Sequence, residues 1–449
     1  MLRLLSHIAA SILCICSIAT TSSAGDFSNV ETFHLQNGME VIVIPNHRVP
    51  AVSHMLWIKA GAADDPLGKS GLAHFHEHIM FQGSANYKPG EYAKTIARHG
   101  GQQNAFTGQD AISYYVNIAK EKLPLVMELE VDRIRGVKPT DAIIAKEREV
   151  ILEERRSRIE NNPDALLAEQ VNAALFRHHP YHLPVIGWKH EMETLTKQDI
   201  LDFHKRYYHP NNMMLIVSGD ITAKELKPLA QKYYGKLRRK SIPARNWTTE
   251  PPHNAARRIV MHHANVKQRV WARNYATSSI AYGKKEDALP LFVLSYILGG
   301  GKTSRLYQSL IVEQKIASAI DASYGGFALG PSEFQIQAIP EPSVSMRTIE
   351  NAIDKELEKL LAEGVTDKEM KRAKTLLKAE SIYARDGITS MARIMGWIRI
   401  AGLDSDYFEL WPELIENITA EQVLTAAKHT LIMKQSVTSE LLPETKEAP

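Results

Sequence analysis

The sequence predicts an α+β protein in which one mixed unit is used twice. Three observations carry that prediction. The chain of 449 residues is too long for one compact core, so two or more domains are expected. Each half holds a threonine placed to cap a helix with an apolar helical pattern behind it: Thr196 ahead of Ile200 and Leu201, and Thr419 ahead of Val423 and Leu424. Each helix then leads to a closing strand, Met213 to Val217 in the first half and a shorter strand-like run near Ser436 in the second. Early strand pairs, later helices and a terminal strand make an α+β unit. The polar, proline-bearing segment 237–253 divides the chain into units 25–236 and 254–440.

Residues 1–24 read as a signal peptide. Arg3 supplies a positive start, Ile8 to Ile18 an apolar core, and Ser22-Ser23-Ala24 a small-residue cleavage site. A mitochondrial transit peptide would be richer in arginine and more amphipathic, so the periplasm ranks ahead of the mitochondrion. Both cysteines, Cys14 and Cys16, fall inside this segment. Without it the chain has no thiol, which suits an oxidising compartment. No later stretch has the uninterrupted apolar length of a membrane span.

Phe33 to Ile44 reads as a strand pair turning at Asn37-Gly38. The decisive motif follows, His74-Phe75-His76-Glu77-His78. Residues four apart share one face of a helix, so His74 and His78 can present two imidazoles to one metal ion. Glu77 is placed to touch a water on that ion rather than the ion itself. Two neutral nitrogens, a nearby carboxylate and an open position suit a catalytic zinc. The order H-x-x-E-H is the inverzincin signature. Three packed or solvated histidines would show the same letters, so a third ligand must decide.

Gly100-Gly101 introduces a strand through Thr107. The segment 145–156 has strong helix formers throughout and no breaker. Glu147 and Glu154 are seven apart, two helical turns, and project from nearly the same side. One could bind an ion while the other orients a ligand; a solvated helix laced with i,i+4 pairs is the plainer alternative. The cluster Arg177-His178-His179-Pro180-Tyr181-His182 lies on a proline-containing loop without ligand spacing and reads as structural. Lys236 to Lys240 reads as a solvated linker. The glycines in Leu298-Gly299-Gly300-Gly301-Lys302-Thr303 fit neither a Walker loop nor a dinucleotide fingerprint. A tight turn opening a helix is expected there.

Together, the H-x-x-E-H motif and the glutamate helix 76 residues beyond it resemble the pitrilysin family of zinc peptidases. That family includes insulin-degrading enzyme and the mitochondrial processing peptidase. Pro184 to Trp188 and Tyr207 to Asn212 also match family landmarks, so the likeness covers nearly all of the chain beyond residue 24. The resemblance implies two homologous α/β-roll halves facing each other around a chamber. It implies one Zn2+ per chain, held by His74, His78 and Glu154, with Glu77 as general base and Glu147 behind the ligands. Glu153 is a rival ligand, disfavoured because it points about 100° away from Glu147. Gly100 to Thr107 resembles a family segment that forms an edge strand beside the metal, so Asn104, Ala105, Phe106 and Thr107 are expected to bind substrate. An exposed edge can hold a peptide backbone with little sequence demand.

One departure matters. Complete enzymes of the family usually carry L-R-E-K-x-G-L-A-Y after an S-R-L turn, and the Arg and Tyr help hold substrate and stabilise the oxyanion. Aligned from Ser304-Arg305-Leu306, those positions are Ile311 and Ser318; Tyr324 is the substitute if the register differs. The resemblance then implies a zinc endopeptidase that forms a heterodimer with a homologous zinc-free subunit supplying the pair. The alternative is a catalytically silent assembly subunit, against which the intact Glu77 speaks. A storage protein would need no water-activating carboxylate. The near-balanced charge, +3 with 23% charged residues, argues against an electrostatic nucleic-acid binder.

Overall fold

The computed structural model describes residues 29–444, so the expected signal peptide and both cysteines lie outside the described residues. Strands β1 (Glu31–His34) and β2 (Glu40–Pro45) pair antiparallel. Gly38 makes their turn at φ 88°, a left-handed conformation that glycine adopts without steric cost. With β3 (Ala51–Ile58), β4 (Gln102–Thr107), β5 (Ile112–Ala119) and β6 (Met213–Gly219) they form one sheet in the order β1-β2-β6-β3-β5-β4.

The second half repeats this plan. Its strands are β7 (Arg257–His263), β8 (Val270–Thr277), β9 (Ala317–Tyr324), β10 (Ser332–Pro340) and β11 (Ser436–Pro443), ordered β7-β11-β8-β10-β9. Each sheet contains one parallel pair, β2 with β6 and β7 with β11. Antiparallel neighbours follow, ending on an edge strand, β4 or β9. The two halves therefore share one mixed α/β architecture. Thr196 and Thr419 cap their helices as expected, each in a capping box, with Asp199 and Gln422.

The closing strand β11 is longer than its sequence suggests, eight residues against seven in β6. Thr438, Ser439 and Glu440 interrupt its apolar pattern, yet Thr438 and Ser439 are buried. Thr438 accepts a hydrogen bond from the buried Arg273 (Nε to Oγ1, 2.9 Å), which removes the cost of burying a polar group. The glycine segment after Leu298 ends one helix (Ala288–Gly299) before a wider helical turn at Tyr307–Glu313. A Cβ on Gly299 would lie 2.0 Å from the Ala322 nitrogen on β9, so close packing accounts for this glycine.

Each sheet packs its own helices on one face. The other face is covered by the opposite half. Helix Ile388–Ile400 sets Met391, Met395 and Ile398 against Ile44, Met55 and Trp57 of the first sheet. Helix Pro163–Leu175 sets Leu167, Val171 and Leu175 against Val437 and Leu441 of the second. Arg399 reinforces this clasp through both Nε (3.0 Å) and Nη2 (2.7 Å) to Oε1 of the buried Glu40. The closest approach is at Gly396, where a Cβ would fall 2.1 Å from the Trp57 indole. Trp57 is fully buried and has no free volume to retreat into. Gly396→Ala is therefore expected to destabilise the chain by about 1–3 kcal/mol, read as a lower urea midpoint; an unchanged midpoint would show that the clasp is slack.

Candidate metal centre

The motif helix, Leu72–Ile79, is only eight residues long, too short to hold itself in water. Tertiary anchors fix its start. Gly71 and Ala73 donate their backbone N–H groups to the half-buried Asp65, both at 2.8 Å. Ser70 donates its N–H to Glu191 (2.7 Å), and Trp188 donates to the Ser70 hydroxyl (2.9 Å). A Cβ on Gly187 would lie 2.4 Å from the Ser70 carbonyl oxygen. The Gly187-Trp188 landmark is thus a clamp on the helix that carries the histidines.

The second helix, Asp141–Arg155, is capped by Thr140, which accepts from the Ile143 N–H. It runs on into a π-type turn at Arg156–Glu160. From it Glu154 reaches the histidines: Oε2 is 3.3 Å from His78 Nε2 and 3.7 Å from His74 Nε2. Ligand atoms of His74, His78 and Glu154 all lie within 4.8 Å of one another. Glu147, buried, sets its carboxylate 3.5 Å from the other nitrogen of His78, Nδ1. Glu153, the rival, is exposed and paired with Arg156. His76 turns to the opposite side of the helix, where its Nε2 lies 3.1 Å from His204 and its ring lies beside Tyr208. The cluster at 177–182 is structural: Glu250 accepts the backbone N–H groups of Arg177, His178 and His179.

The strand expected to receive substrate is the edge of its sheet, β4, hydrogen-bonded only to β5. Its side chains split between two faces, as strand geometry demands. Asn104 is exposed, and its side chain accepts its own neighbour's N–H. Phe106 packs edge-on to Trp57 (5.3 Å) and beside Trp397 (5.9 Å) from the other half. On the other face Ala105 joins the first core, and the Thr107 hydroxyl donates to Glu77 Oε2 at 2.5 Å. A cleft of about 840 Å³ joins these residues to His74, His78 and Glu154. The cleft also takes in Arg158, which pairs with Glu154 Oε1 at 2.7 Å. That contact was legible as an i,i+4 pair. Glu169, another wall residue, is gripped by Arg155, and no sequence spacing announces it.

Charge in the cluster is arranged to favour a cation among these side chains. Burial, with His78 alongside, pushes the His74 imidazole down to about 4. Burial opposes charge on His78 too, but Glu147 and Glu154 outweigh it and push that ring up to about 9. The hydrogen bond from His78 holds Glu154 below its ordinary value. Burial raises Glu77, against the hydrogen bond from Thr107. A cation between these groups fits. Two imidazole nitrogens and one carboxylate oxygen are a common zinc donor set, and ligands of a tetrahedral zinc stand about 3.3 Å apart. The Glu154 oxygen stands 3.3 and 3.7 Å from the two imidazole nitrogens, near that spacing, and all three ligand atoms lie within 4.8 Å of one another. Glu147 beside Nδ1 of His78 orients the ring as a carboxylate behind a metal-bound histidine does.

Residues 40–189 match the family model described as Insulinase (Peptidase family M16), and residues 194–377 match the Peptidase M16 inactive domain. The zinc protease PqqE of Helicobacter pylori is 30% identical over 381 residues, covering 84% of this chain and 83% of that one. The chain belongs to peptidase family M16. An uncharacterized zinc protease of Mycobacterium tuberculosis is 26% identical over 401 residues, covering 88% of this chain and 90% of that M16 relative. Among solved structures, a Helicobacter pylori protease superposes with TM-score 0.85 at 27% identity, over 92% of this chain and 99% of that one. The first half of the periplasmic protease PqqL from Escherichia coli superposes with TM-score 0.79 at 20% identity, over 92% of each chain. Against whole PqqL this M16 chain spans 48% of the length. M16 membership and the relatives named zinc proteases support a peptidase function.

The residues lining the cleft all come from the first half, between His74 and Ile186. Ile311 packs on the second core, and Ser318 donates to the Ile339 carbonyl (3.2 Å). The register that aligns them is supported by Lys315, which stands where the family pattern has glycine and adopts φ 54°. Tyr324 gives its hydroxyl to the Ser278 carbonyl (2.8 Å). The clamp on the motif helix generates a prediction. Gly187 sits at φ 84° against Ser70 and Gly71, so Gly187→Ala strains both backbones and should cost about 1–3 kcal/mol. A thermal melt reads this as a lower Tm; an unmoved Tm would mean that the clamp gives way freely.

Proposed function

We propose that this chain is a zinc-dependent endopeptidase, working as the zinc-bearing member of a two-chain enzyme. The observation that carries the reading is the meeting of two helices at His74, His78 and Glu154, with Glu77 and a free sheet edge opening into the same cleft. His74, His78 and Glu154 hold the ion, and Glu147 orients His78 through Nδ1. The chemistry supplied by a bound zinc ion is Lewis acidity, which brings a water's pKa towards neutrality and polarises a carbonyl. Glu77 accepts the proton of the attacking water and hands it to the departing amine. The backbone of β4 aligns the substrate by strand addition, a mode that admits extended segments and refuses folded ones.

The partner is proposed from three supports. Ile311 and Ser318 offer no guanidinium or phenol, and Tyr324 is committed elsewhere. The cleft is lined by first-half residues among those described, and the one guanidinium among them, Arg158, is paired with Glu154. The chain also spans about half of PqqL while matching its first half throughout. A homologous zinc-free subunit supplying an Arg/Tyr pair satisfies all three. The expected signal peptide and the thiol-free remainder of the chain favour the periplasm over the mitochondrion. No helix among the described residues is long and apolar enough to cross a membrane.

Glu77→Gln should retain zinc while peptide hydrolysis falls by about 100- to 10,000-fold. His78→Ala should lose the metal. Zinc analysis beside a peptide-cleavage assay checks both, and normal cleavage by the Gln variant would remove Glu77 from the base role. The chain alone should turn over slowly and gain about 100- to 1,000-fold when its homologous partner is added. Full activity of the purified single chain would refute the two-chain arrangement.

A further inference from the structure

We infer that Thr107 is a positioning residue for Glu77, so that the strand which receives the substrate also sets the aim of the base. This deepens the proposed peptidase reading and rests on its assignment of Glu77. The family resemblance placed Thr107 among residues that touch the peptide, but its hydroxyl is turned to Glu77. Its hydroxyl donates to Glu77 Oε2 at 2.5 Å, the one hydrogen bond that Glu77's carboxylate makes among the described residues. Its other oxygen, Oε1, has no hydrogen bond among the described residues, and Glu77 lines the cleft.

The hydroxyl is held stiffly. Thr107 pairs with Ile112 on β5, and the next residue closes a tight turn, Gly108 N–H to Ala111 carbonyl at 2.8 Å. A Cβ on Gly108 would lie 2.8 Å from Trp397, so the clasp helix presses on this turn from the other half. A β-branched side chain in a strand has few rotamers. Glu77, by contrast, has several rotatable bonds, and Thr107 supplies the one hydrogen bond to its carboxylate among the described residues. A peptide added along the free side of β4 would complete that strand's hydrogen bonding. Scissile bond and base are then referred to one rigid element, and near-attack geometry is sensitive to such alignment. Removing the hydroxyl should affect turnover more than binding.

Thr107→Val removes the hydroxyl at nearly constant shape, and Thr107→Ser keeps it. Both are to be made in the full chain, assayed with any partner it requires, alongside Glu77→Gln. Thr107→Val should keep the parent's zinc content and KM while kcat falls about 10- to 100-fold, the scale of a hydrogen bond to a charged group. Thr107→Ser should stay within a few-fold of the parent. A crystal structure of zinc-loaded Thr107→Val should show the Glu77 carboxylate turned away from its parental orientation. Unchanged kcat in the Val variant, or a loss explained by missing zinc, or a Ser variant as slow as Val, would each overturn the inference. If Glu77→Gln itself cleaves normally, the base assignment has failed instead, and the two failures are told apart.

Discussion

The fold of the first half is organised around bringing two carboxylates to the same imidazole. Glu147 and Glu154 stand 3.5 and 3.3 Å from opposite nitrogens of His78, in surroundings that bury most of all three side chains. Desolvated charges of one sign repel unless a counter-charge lies between them. Without a metal that charge is a proton on His78; a divalent cation bound by Nε2 would replace it and turn the Nδ1 proton towards Glu147. The protein pays for this arrangement with the elements around the two helices. Asp65, Gly71 and Gly187 clamp the start of the eight-residue motif helix, and Arg155 ties the far end of the glutamate helix to the Gly187 carbonyl at 3.0 Å. One loop thus references both helices, so the ligand separation does not drift.

The internal repeat explains why a second, motif-free half is retained. Each sheet has one face that its own helices leave bare, and each half lends a helix to cover the other. Neither half could bury its sheet alone, and an uncovered apolar face of that size invites aggregation. The counterpart of the motif helix is Ala288–Gly299, buried through Leu291, Leu294, Ile297 and Leu298. It occupies the place of the histidine helix and packs the core, while its Tyr296 hydroxyl donates to Glu380. The second half nevertheless touches the site, since Trp397 lies against Phe106 on β4 at 5.9 Å.

How much of this was legible depends on whether the deciding periodicity is local. The four-residue step from His74 to His78 and the seven-residue step from Glu147 to Glu154 each select one helical face, and the structure brings those faces together. The Asn37-Gly38 turn and the capping threonines are equally local signals, and both appear. What the sequence withheld depends on long-range pairing. Ile388–Ile400 announces an apolar helix but not which sheet it will cover. The length of β11 was hidden because Thr438 and Ser439 are buried polar residues, and only Arg273 on a neighbouring strand makes that tolerable. Thr107 sat in the expected substrate segment, but the register against β5 decides which face its hydroxyl takes, and that face belongs to Glu77.

The same constraint bears on the proposed partner. A sheet edge that binds peptides must stay open along its length, so β4 cannot be roofed by its own chain. The second half is already spent on the opposite face of the sheet, where Phe106 and Trp397 meet. Its sequence at Ile311 accordingly faces its own core, and no guanidinium or phenol stands there to be aimed at the cleft. In the proposed two-chain reading, closing the cleft, excluding water and supplying an oxyanion donor would fall to a surface outside these two halves. A second copy of this chain would bring Ile311 and Ser318 again and leave the same deficit. A homologous chain with an arginine and a tyrosine at those positions would remove it, which is why the proposed partner is an unlike subunit rather than a second copy.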